Sequence, residues 1–175
     1  MTLGPRLRKF ALTAHVACSV GWLGAVAAFL ALAIAGLASD SGQTVRGAYV
    51  AMEVIAWFVI VPLAFGALLT GLVQALGTPW GLFRHYWVAT KLVLTVVGTV
   101  VLLFQMDNIE FMRDAAAETT LSHGELRGER EHVLLHAAGG LVVLLITTVL
   151  AVVKPRGLTR RGWRKQREIR AASKS

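Results

Sequence analysis

A chain of 175 residues has room for one domain, and 55% hydrophobic residues with only 16% charged is too apolar for a water-soluble fold of that size. The net charge of +8 does not point to nucleic acid, because residues 154–174 hold nine basic residues and one acid and so account for the whole excess. A basic stretch directly after an apolar segment matches anionic lipid headgroups instead.

The first predicted element is a membrane-spanning helix over residues 10–37. Arg6, Arg8 and Lys9 precede it, but the apolar run far exceeds the roughly 7–15 residues of a signal-peptide core, so it reads as a retained helix. It carries His15 and Cys18, three apart and therefore on one face, and the small residues Gly21, Gly24 and Ala25. Cys18 is the only cysteine, which excludes an intramolecular disulfide. After the polar turn at Ser39, Asp40 and Ser41, a second span is predicted over residues 48–72, with Glu53 and Pro62 inside it. Pro62 removes one helical N–H and predicts a kink near the middle.

A turn-like stretch at Gly77, Thr78, Pro79 and Gly81 leads through Arg84 and His85 to a third span over residues 86–106, which contains Lys91. Residues 107–131 hold seven acids and three bases and are predicted as a loop, partly helical, lying over one mouth of the bundle. The fourth span, residues 132–153, starts at His132 and His136 and is stopped by Lys154, Pro155 and Gly157. Each span is long enough for a hydrocarbon layer of about 30 Å at about 1.5 Å per residue. The expected fold is all-α: a four-transmembrane-helix bundle (residues 1–153) followed by a basic tail (residues 154–175). Lys and Arg crowd the N-terminus, the second loop and the tail, which places both ends in the cytoplasm, N-in and C-in. The expected location is the plasma membrane.

Polar groups at membrane depth are costly unless paired, neutralised or ligating. On this topology they fall into two layers. The inner layer holds His15, His85 and Lys91, candidates for binding a cofactor. The outer layer holds Glu53, His132 and His136, candidates for binding copper or zinc, with the two histidines one helical turn apart. Each has a plainer reading. His15 can be a packing histidine, His85 an interfacial residue, and Lys91 can snorkel to the headgroups. The small residues on the first two spans predict close helix approach and say nothing of an activity.

Two fragments carry a family resemblance: His15 followed by Gly21, Trp22 and Gly24 on the first helix, and Tyr86, Trp87 and Lys91 at the start of the third. Together they resemble the bacterial superfamily of CopD-type copper-resistance membrane proteins and HemJ-type protoporphyrinogen oxidases, and in size the DUF2269 branch. The resemblance implies a bacterial inner-membrane protein, with His15 as a candidate haem ligand and Lys91 as its accompanying lysine. It assigns no role to Glu53, His132 or His136.

Three function classes stay open. One is a haem- or metal-binding redox protein, with haem b between His15 and His85 and Lys91 near a propionate, or copper or zinc at Glu53, His132 and His136. Another is a non-enzymatic scaffold or accessory subunit that contacts lipid and a membrane protein partner. A small transporter component is the third.

Overall fold

The computed structural model describes residues 4–77, 81–118, 126–155 and 157–172. They form α1 (Pro5–Ala38), α2 (Gly42–Ile55), α3 (Val61–Gly77), α4 (Tyr86–Glu118), α5 (Arg127–Val153) and α6 (Arg160–Ala172), with a π-helical turn, Ala56–Ile60, joining α2 to α3. Four helical stretches are long and apolar enough to cross a membrane: Pro5–Ala38, Gly42–Gly77, Tyr86–Ala116 and Arg127–Val153, with mean hydropathy of 2.1 to 2.3. Each contains a predicted span and runs beyond it. Large apolar side chains on their outer faces, such as Phe58 and Phe104 at 77% exposure each, are the surface a bilayer covers.

Helix ends follow local chemistry. Pro5 opens α1 at a position where no helical N–H is needed. The Ser41 hydroxyl accepts the Thr44 N–H and caps α2, which therefore begins six residues before the apolar run. Just before Pro62, where the sequence predicts a kink, the helical pattern changes. The N–H of Val61 donates to Ala56 O, five residues back, in the turn just before the proline. Widening to the π pattern makes room for the ring against the preceding turn.

The spans are arranged as a square. α1 packs against α2 and α3 on one side and α5 on the other, and α4 likewise packs against α2, α3 and α5. The second and fourth spans thus stand at opposite corners, as do the first and third. The contact of α1 with α5 is the closure expected for up-and-down packing.

Two departures from the predicted elements matter. The stretch read as a loop after Met106 continues α4 for three more turns, to Glu118. Met106, Ile109, Met112 and Ala116 are its buried residues there, whereas among residues 86–105 only Thr99 is buried. The bundle is therefore tight at the end distant from the termini (the distal end) and looser where the termini lie (the terminal end). The second departure is the tail, which is a docked helix. Thr159 donates its N–H to Arg84 O (3.0 Å) and its hydroxyl to Phe83 O, Tyr86 N–H donates to Gly157 O (3.4 Å), and His85 bridges Leu158 in antiparallel fashion. The Thr159 hydroxyl also accepts the Gly162 N–H and caps α6.

α1 and α3 approach each other closely along their seam. A Cβ built on Gly66 would lie 2.8 Å from Cys18 Sγ, and one on Gly71 would lie 3.0 Å from the His15 ring. Gly66→Ala is expected to lower the unfolding midpoint in detergent, because the added methyl meets the sulfur at overpacking distance. In a Cys18→Ala background the same change should raise it, since the remaining contact at 3.6 Å is ordinary and Ala is the better helix former. Thermal unfolding of the four proteins of this cycle checks the reversal of sign.

Candidate functional sites

His15 lies on α1 facing α3. Its Nδ1 is 3.1 Å from Ala67 O and 3.1 Å from the Thr70 hydroxyl oxygen. The hydroxyl itself donates to Gly66 O, so Nδ1 carries the proton and Nε2 keeps the lone pair. Nearby, Gln74 donates its side-chain amide to Ala11 O at 3.1 Å. In this setting a polar bond between helices satisfies groups that lipid cannot.

His85 is elsewhere. It precedes α4 in the turn that pairs with the tail, its ring centroid 6.3 Å from that of Trp87. It lines a cleft of about 940 Å³ at the terminal end together with Arg8, Arg84, Trp87, Lys154, Leu158, Trp163 and Gln166. Arg8, in that lining, is seven residues from His15, about 10 Å along α1 by helical rise. A bis-histidine haem needs both ligand nitrogens about one metal-bond length from the same iron, and the structure gives these two histidines different depths and different neighbours. Lys91 is half-buried and lies within electrostatic reach of both His15 and Lys154. Of the inner candidates, His15 and Lys91 are therefore brought near each other and His85 is placed at the rim.

At the distal end α4 intervenes between the predicted metal ligands. Arg113 holds Glu53 through Nη1 at 2.7 Å and Asp114 through Nη2 at 2.7 Å. Asn108 donates its side-chain amide to His132 Nδ1 at 3.1 Å. His136 donates Nδ1–H to the His132 carbonyl at 2.9 Å, and the two rings sit 4.1 Å apart, on one face as their spacing predicts. Both Nδ1 atoms are thus engaged, one by Asn108 and the other by the carbonyl one turn back. Glu53 stands on α2 and the histidines on α5, at opposite corners of the square. Among the described residues, no three His, Cys, Asp or Glu side chains group as a metal site would need.

Sequence reading missed Arg113, Asn108, Glu110 and Arg130 because it placed all four in a loop. Trp57 donates its indole N–H to Glu110 at 3.0 Å, a second bond from the second span to α4. Arg130 on α5 is 4% exposed and within electrostatic reach of the buried Tyr49, and its Nε has no hydrogen-bond partner among the described residues. The signal was present. Met106, Ile109 and Met112 recur every three residues, the apolar stripe of a helix that has not yet ended.

No family model, no curated protein and no solved structure matches the chain.

The Glu53–Arg113 pair should behave as a helix lock. Glu53→Gln and Arg113→Gln are each expected to lower the unfolding midpoint of the detergent-solubilised bundle. The double variant should cost less than their sum, and additivity in denaturation midpoints would deny the pair.

Proposed function

We propose that the protein is a non-enzymatic membrane scaffold or accessory subunit, set in a bacterial inner membrane with both ends in the cytoplasm and its basic α6 against the anionic headgroup layer. One observation carries the reading: three of the polar side chains singled out on the spans tie helices together. His15 joins α1 to α3, Glu53 joins α2 to α4 through Arg113, and His132 joins α5 to α4 through Asn108. A redox or metal site would instead need these groups converging on one point with lone pairs directed inward. His15 and His136 each have Nδ1 against a backbone carbonyl, as a metal-ligating histidine does, which is why their substitutions are the informative controls.

Spectroscopy and metal analysis after mild-detergent purification, from cells grown with ample haem precursor, copper and zinc, test the assignment. A colourless protein without stoichiometric metal is expected. A Soret band lost in His15→Ala, or copper or zinc lost in His136→Ala, would overturn it.

Topology has its own test. In a Cys18→Ala background, Arg161→Cys should resist a membrane-impermeant thiol reagent in intact cells and react once the inner face is opened. Labelling of intact cells would reverse the orientation.

A further inference from the structure

The cleft at the terminal end has walls from parts of the chain far apart in sequence, and the clamp between them gives it a fixed shape. The turn at residues 83–86 and the segment at 157–159 bond to each other, and Gly162 lies so close that a Cβ there would meet Arg84 O at 2.4 Å. The α6 helix is therefore seated in one register. Trp163 and Gln166 are held over the cleft and not dispersed along a loose polybasic tail.

The chemistry of the cleft is one-sided. Arg8 arrives from the first turn of α1, Arg84 from the turn before α4, and Lys154 from the end of α5, and no Asp or Glu is among its described lining residues. Lys91 lies deeper and feels the charge of Lys154. Like charges drawn together from three elements, at the rim of a low-dielectric bundle, are stabilised by an anion seated among them. Lys154 caps α5 in the left-handed conformation, φ 46° and ψ 63°, which ends that helix before Pro155 and leaves the lysine in the cleft lining. Trp87 adds an interfacial ring at the entrance, and the thinly packed first half of α4 runs on from there as apolar surface.

We propose that this cleft binds the headgroup of one anionic phospholipid, such as phosphatidylglycerol. The phosphodiester sits among Arg8, Arg84 and Lys154, and the acyl chains follow α4. The inference rests on the proposal that the terminal end faces a headgroup layer, and it adds a shaped, one-lipid site to a general attraction between α6 and anionic membrane.

The test is native mass spectrometry of the full chain extracted from vesicles of equal phosphatidylglycerol and phosphatidylcholine. One retained phosphatidylglycerol per chain is expected. Arg8→Gln with Lys154→Gln should lower retention about tenfold, and so should Gly162→Val, which unseats α6 without altering charge. Arg160→Gln with Arg161→Gln removes the same charge from the exposed side of α6 and should leave retention within twofold.

Equal loss in the two charge pairs would reduce the site to diffuse attraction and overturn the proposal. So would equal retention of phosphatidylcholine, or retention unchanged in Gly162→Val. Displacement by excess glycerol 3-phosphate would assign the cleft to a soluble phosphate and overturn it too. Should Gly162→Val lose its monodisperse fold, the two charge pairs decide alone. A Soret band in the wild-type chain removes the scaffold reading without touching lipid retention, and thiol labelling from outside removes the orientation, so each failure is told apart.

Discussion

The seam between α1 and α3 is the contact on which the rest of the bundle depends. In a bilayer, burying apolar surface between helices gains little, because lipid tails are as apolar as the side chains they replace. What remains is close packing and polar bonding, and this seam has both in one antiparallel register. Ala11 meets Gln74, His15 meets Thr70 and Gly71, Cys18 meets Gly66, and Gly21 meets Leu63. Steps of three or four residues along α1 are matched by steps of three or four back along α3. The same register carries on beyond the π turn, where Gly36 lies against the ring of Tyr49 on α2. With the first two spans fixed in this way, the third and fourth have only one square to complete.

The two ends of that square are built differently. At the distal end, α4 runs past the apolar layer and brings its methionines against α2 and α5, with ion pairs and hydrogen bonds around them. At the terminal end the same helix has little to pack against, and the gap is closed from outside by the tail folding back on the turn before α4. A tight distal core and an open basic cleft thus follow from the way one helix is distributed between two environments.

That asymmetry also explains the fate of the candidate ligands. His132 and His136 share a face, as a spacing of four residues requires, and Glu53 is a true polar intrusion in an apolar helix. Each was legible in the sequence as a polar group on a predicted span. The partner of each was not, because Arg113 and Asn108 belong to a helical extension that a charge-rich composition disguised as a loop. Polar residues end a membrane span but need not end a helix, and hydropathy alone registers the first event. The apolar stripe from Met106 to Ala116 was the signal for the second.

What the sequence determined by itself is the material of the fold: four helices, where each meets its apolar limits, the break before Pro62, the small-residue faces, and a basic end. These are local properties, set by side-chain chemistry within a few residues, so they are legible without a partner. Only the tertiary structure decided that the second and fourth spans stand at opposite corners, that Arg113 takes Glu53, that His15 and His85 occupy different depths, and that α6 is clamped by Gly162 against Arg84 O. Those outcomes depend on which helix faces get within a few ångströms of one another. No periodicity along one chain segment encodes a distance to another, and it is distance that turns a list of polar residues into locks, ligands or a cleft.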